Sequence, residues 1–340
     1  MSKTMDGLEM NRTTQLTKSI LGFMEDWNAY KKGLKGLKNA DWCILSDYCF
    51  DDKGKEDALT FTIFPYNYVR QVLHEIEANI PCDIKKMTHI PDRCINFLKN
   101  SPYFFHIAIV VENLKNMVQE QDLLKQLETT LNDYKKAEDL DKSSQDIKDK
   151  YKCLRESYEY MKQKSHSRRL LAQIEFVSQF VSQLLEFLLI KENGRHPYWV
   201  SDRDHMATHC NGLLFFLVNY KLARLLKGRV TDFWLHLPAE IMENNKDYAY
   251  DPVIRVPDII TGIMSSMKYT KLGIQMDKPK HFSLFDEIIS DNPRVIALEY
   301  IYQKDGKGYF QRTFWRKPIE GCNYEPFDPN NCKRFRKLAV

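Results

Sequence analysis

Two blocks of short apolar runs, separated by a long stretch of helical periodicity, constrain this chain more than any other feature. In the first block, Trp42-Cys43-Ile44-Leu45-Ser46 and Ala58 to Phe64 read as a hairpin around the turn Phe50 to Lys55. His106-Ile107-Ala108-Ile109-Val110-Val111 follows as a buried strand. In the second block, Tyr198 to Ser201 and Val230 to Leu237 read as strands, with a helix expected between them over Met206 to Lys227. Between the blocks, Met117, Leu124 and Leu131 recur at heptad spacing. Tyr151, Leu154, Tyr158 and Met161 repeat the rhythm after a polar break at Asp139 to Gln145. Alternating strands and helices specify an α/β domain, and the heptads specify an antiparallel, coiled-coil-like helical hairpin inserted into it.

The organisation that follows has four parts. Residues 1–40 form an N-terminal helical extension, with a helix from Thr14 to Leu37. Residues 41–112 and 193–320 form the α/β domain, and 113–192 the insertion, which projects from it. Residues 321–340 are a basic tail. A more apolar third helix, Arg168 to Ile190, is expected to pack on the sheet. Further helices are expected over Tyr68 to Ala78, Pro91 to Lys99 and Asp258 to Lys268, a short strand over Cys82 to Met87, and a C-terminal hairpin from Arg294 to Trp315.

Composition narrows the functional classes. The 340 residues carry a net charge of +4, which neither demands nor excludes nucleic acid, so clusters matter more than the total. Basic clusters fall at Lys31-Lys32, at Arg168-Arg169 and at Lys333 to Lys337, the last with Phe335 between its charges. Eight cysteines include no CxxC pair, and Cys43, Cys82 and Cys94 read as buried thiols. The polar start lacks a signal peptide, and the longest apolar run, Phe176 to Ile190, is too short and too interrupted to span a bilayer. A cytoplasmic protein without a membrane partner is therefore expected. With 13 glycines and no P-loop, GxGxxG or GxSxG, nucleotide hydrolysis and dinucleotide chemistry are poor fits.

Chemistry concentrates instead in aspartates at the ends of the apolar runs. Asp47 follows the first strand, Asp202 follows Tyr198 to Ser201, and Asp258 opens the run Ile259 to Met264. A carboxylate buried beside others is costly unless it is paired, protonated or bound to a cation. Oxygen ligands of this kind suit Mg²⁺ or Mn²⁺. A divalent-metal-dependent nuclease, hydrolysing phosphodiester bonds of DNA or RNA, is the function these residues suggest.

Local patterns resemble the ribonuclease H-like family catalogued as domain of unknown function 3800. Asp47-Tyr48-Cys49-Phe50 matches the family's opening Asp-Glu-Ser-Gly, and Asp83-Ile84-Lys85 its acid-apolar-Lys triplet. Val200-Ser201-Asp202-Arg203 matches a later strand end, and Ile254 to Gly262 the start of its closing helix. The resemblance covers 41 to 112 and 196 to 268, and implies a ribonuclease H-like mixed sheet with flanking helices. It implies a catalytic set of Asp47, Asp83, Asp202, Asp258, Lys85 and His205, with Asp47, Asp202 and Asp258 as metal ligands. Lys85 would neutralise a phosphate oxygen, His205 would move a proton, and Glu112 is the substitute for Asp83. Such families often serve mobile-element or antiviral-defence settings.

Two other readings compete. Tyr48 stands where the family has glutamate, so the scaffold is alternatively a non-catalytic assembly protein, joining a second copy or a protein partner through its helical hairpin. His205 and His209 are four apart, and on one helix face they would suit a zinc hydrolase, although the intervening glutamate of HExxH is absent.

Overall fold

The structure is a computed structural model describing residues 24–34, 40–112, 114, 120–140, 145–163, 168–194, 197–202, 204–209, 212–226, 234–235, 251–270, 273–276, 279–290, 292–302 and 308–313. Strands β1 (Trp42–Cys49) and β2 (Asp57–Pro65) form an antiparallel hairpin, and β2 pairs antiparallel with β3 (Phe105–Glu112). On the other side, β1 pairs parallel with β4 (Tyr198–Ser201), which pairs parallel with β5 (Trp234–Leu235). Beyond β3 the sheet continues through β8 (Val295–Tyr302), parallel to it, and β9 (Gly308–Thr313), antiparallel. The order is β5-β4-β1-β2-β3-β8-β9, and a separate small hairpin joins β6 (Met267–Thr270) to β7 (Gly273–Met276). This is a mixed α/β sheet with helices on both faces.

Alternation along β1 divides its side chains between two cores. Trp42 and Ile44 join Leu59, Phe61, Phe105 and Ile107 on one face. That face is covered by α1 (Met24–Gly33), the insertion helices α4 (Glu120–Leu140), α5 (Gln145–Gln163) and α6 (Arg168–Ile190), and α8 (Leu213–Leu226). Cys43 and Leu45 face the opposite core with α2 (Val69–Asn79), α3 (Asp92–Asn100) and α9 (Asp251–Ser265). The aromatic rings of Phe61 and Phe180 stack at 4.7 Å, docking α6 on the sheet.

The insertion is a helical hairpin, but it does not simply project. Leu127, Leu154 and Met161 are buried in the same core as the sheet, and Tyr220 on α8 donates a hydrogen bond to Asp133 at 3.4 Å. A two-helix seam has too little apolar area to stand alone, so it shares the domain's core. The segment Arg169–Ile190 is long and apolar enough to cross a membrane by length and composition, contrary to the sequence reading. However, 83% of its apolar window is buried inside the protein, between the sheet and α8, which accounts for its composition.

Three element boundaries differ from expectation. The helix expected over Met206 to Lys227 is broken into α7 (His205–Thr208) and α8, because Gly212 takes φ +84 between them. Helix α9 begins at Asp251 and runs through Pro257, so Asp258 lies in its interior and not at its start. Residues Ile84–Lys86 form a 3₁₀ turn and not a strand. Smaller shifts affect the N-terminal helix, described only over Met24–Gly33, and β5, described only over Trp234–Leu235. The basic tail lies outside the described residues.

Candidate functional site

Asp47 sits on β1, an interior strand, one residue beyond the paired positions Ser46 and Ser201. The Asp202 N–H donates to the Ser46 carbonyl at 2.9 Å, extending the parallel pairing and setting Asp202 beside Asp47. Helix α9 crosses the same face, and its Thr261 hydroxyl donates to the Asp47 carbonyl at 3.4 Å. The cavity so formed, of about 460 Å³, is lined by Asp47, Asp202 and Asp258 together with Lys85, Asp204 and His205. Five of the six sequence-derived site residues therefore share one pocket.

Its electrostatics follow from that convergence. Asp47 is 5% exposed, and burial pushes its carboxyl well above the usual carboxylate range. The negative charges of Asp258 and Asp202 push it further, against the Thr261 hydrogen bond and the Lys85 ammonium. Burial also raises the Asp258 carboxyl. Lys85 and a hydrogen bond from the Ile84 N–H oppose that shift, while Asp83 and Asp202 reinforce it. Asp204 caps α7 by accepting from the Ala207 N–H at 2.8 Å, yet burial and then Asp202 lift it to about 6. Lys85 thus faces the acids from the mouth of the site.

The turn carrying Lys85 is held firmly. Lys280, on α10 (Pro279–Leu284), donates to the Ile84 carbonyl at 2.8 Å and the Met87 carbonyl at 2.6 Å. Arg255 on α9 donates to the Ile80 carbonyl at 2.9 Å. Lys280 and the neighbouring His281 also line the cavity, and neither is marked by any pattern in the sequence.

Asp83 is placed differently from the other acids. Its side chain is half-exposed, lies 3.2 Å from Lys86 and 3.9 Å from Arg255, and is outside the cavity lining. Glu112, its substitute, is also elsewhere: it hydrogen-bonds Glu299 on the adjacent β8. His205 and His209 do not share a continuous helix, because α7 ends at Thr208 and His209 is extended (ψ 135°). Their rings are 5.7 Å apart. Arg203 lies outside the described residues.

The Tyr48 side chain turns to the sheet face opposite Asp47. Its hydroxyl shares a 2.7 Å hydrogen bond with Ser46 and accepts from Ser201 at 3.2 Å, while the Trp199 indole donates to Ser46 at 2.9 Å. The basic clusters resolve into structure as well. Lys31 pairs with Glu192 at 2.6 Å, and Arg169 binds Asp57 at 2.7 Å and also Asp51, tying α6 to the β1–β2 turn. Cys43 and Cys94 are buried, but Cys82 is only half-buried.

The donor set suits a hard divalent cation in oxygen chemistry and in charge, since Asp47 is buried among like charges. Among the described residues, however, no three His, Cys, Asp or Glu side chains are gathered closely enough to hold a metal ion as they stand. No known family matches the chain, and neither the curated proteins nor the solved structures contain a significant match.

Proposed function

We propose that this chain is a divalent-metal-dependent nuclease on a ribonuclease H-like scaffold. The single observation that carries the reading is Asp47, buried on the interior strand β1 and lining a cavity with Asp202 and Asp258 from distant segments. A fold has no structural need to bury a carboxylate beside two others, and the arrangement is costly without a function. The order of elements supports the scaffold: a hairpin, helices, a third strand, a helical insertion, then strand, helix, strand, helix. That is the order the resemblance implies.

Asp47, Asp202 and Asp258 would hold Mg²⁺ or Mn²⁺, drawn together as their mutual repulsion is neutralised. Such an ion supplies Lewis-acid polarisation of the phosphate and an acidified water. The chain's own residues do the rest. Lys85, at the cavity mouth, neutralises a non-bridging phosphate oxygen, and His205 carries the proton to the leaving oxygen. Asp83, held by Lys86 and Arg255, positions the turn bearing Lys85.

The second reading, a non-catalytic assembly protein, draws on Tyr48, a phenol where the resemblance has a carboxylate, whose hydroxyl is bonded to Ser46 and Ser201 on the sheet face opposite Asp47. Cleavage of labelled DNA and RNA, single- and double-stranded, in Mn²⁺, Mg²⁺ or EDTA separates the two. Metal-dependent cleavage that falls at least a hundredfold in both Asp47→Asn and Asp202→Asn supports the nuclease, on the scale of lost charge stabilisation. No cleavage by folded wild type, whatever the metal, leaves the assembly protein.

A further inference from the structure

Two large apolar side chains are exposed among the described residues, and both are aromatic: Tyr160, 40% exposed, and Phe282, 57% exposed. Neither is placed at random relative to the cavity. Phe282 follows Lys280 and His281, which line the cavity on one side. On the other side, His205 lines the cavity, the His209 ring is 5.7 Å from it, and the Tyr160 ring meets His209 edge-on at 6.2 Å. A file of rings therefore leads from the acids to the hairpin helix α5. At the cavity end of the file the exposed Lys85 supplies a cation.

We propose that this file, together with the exposed Phe282 next to the cavity-lining His281, is a stacking track for single-stranded nucleic acid, so that the substrate class is single-stranded DNA or RNA. The inference rests on the nuclease reading for what happens at the acids, but the track itself is a binding site. A row of rings that starts at a cation-bearing cavity fits a single strand in particular. Its bases present open faces that stack on aromatic side chains with little regard to sequence, while its phosphates meet Lys85 at the cavity. In a duplex those base faces are already stacked on one another and closed to the rings.

The test is fluorescence anisotropy of labelled oligothymidylate, oligouridylate and a duplex in EDTA, where no cleavage occurs. Tyr160→Ala and Phe282→Ala should each weaken single-strand binding about tenfold, the scale of one lost base stack. Tyr160→Phe should preserve it, and duplex binding should move in none of them. Both side chains are exposed, so thermal melts should match wild type. Unchanged single-strand affinity in either alanine variant, or an equal loss for duplex, overturns the track. A second arm in Mn²⁺ keeps the two ideas apart. Tight single-strand binding without cleavage supports the track and removes the nuclease, whereas cleavage indifferent to both alanine variants does the reverse.

Discussion

At the scale of single residues, a carboxyl whose titration is moved up toward neutral pH makes stability depend on pH, and Glu299 is such a group. Burial raises it to about 7, helped by the neighbouring charges of Glu112 and Glu56. In the unfolded chain it titrates near the ordinary value of about 4.3. Between those values the folded state holds more protons, so stability declines as pH rises through that window and is fully restored below it. Glu299→Gln should raise Tm at pH 8 and leave it nearly unchanged at pH 4, as read by calorimetry. Nothing in the sequence marks Glu299, because its partnership depends on the register of β8 against β3. Asp47, Asp202 and Asp258 were legible for the opposite reason: each adjoins an apolar run, where a charge is conspicuous. Asp83 was not separable from them in the sequence, since an acid before Ile84-Lys85 reads alike whether it enters the pocket or pairs with Lys86.

Among the elements, those carried by strong periodicity were legible. The helix Arg168–Ile190 lies where its apolar pattern places it, as do the strands around Ile44, Phe61 and Ile107. Two helices were misread at points where local and tertiary preferences conflict. Pro257 lacks the N–H that a helix interior requires, so the chain reads as starting afresh at Asp258. Packing of Val253, Val256, Ile259, Ile260 and Ile263 into one core overrides that loss. At Gly212, in contrast, apolar periodicity continues on both sides and hides a break that only φ +84 reveals. Gly212→Ala should therefore destabilise the protein by about 1–2 kcal/mol, measured by urea unfolding, because a Cβ is strained in this conformation. The break also sets α7, with Asp204 as its cap and His205 on its first turn, at the cavity.

For the molecule as a whole, the insertion and the sheet share one apolar face. Leu154 is fully buried in it, although it lies in the hairpin. Leu154→Ala should cost about 2–5 kcal/mol and shift one cooperative transition, measured by calorimetry and near-ultraviolet dichroism together. Separate melting of the hairpin would contradict a shared core. The parallel contact of β1 with β4 has a further consequence. The Trp199 indole reaches Ser46 across 153 residues of chain, and Asp258 comes later still. The hairpin β1–β2 can zip as soon as both strands exist, but its neighbour β4 must wait for the whole helical segment to be made and folded back. Lengthening that segment adds little closure entropy, which grows only with the logarithm of its length, but it delays the encounter. On the ribosome, then, the carboxylates meet only once the chain through Asp258 has emerged, and a nascent chain carries no assembled pocket before that point.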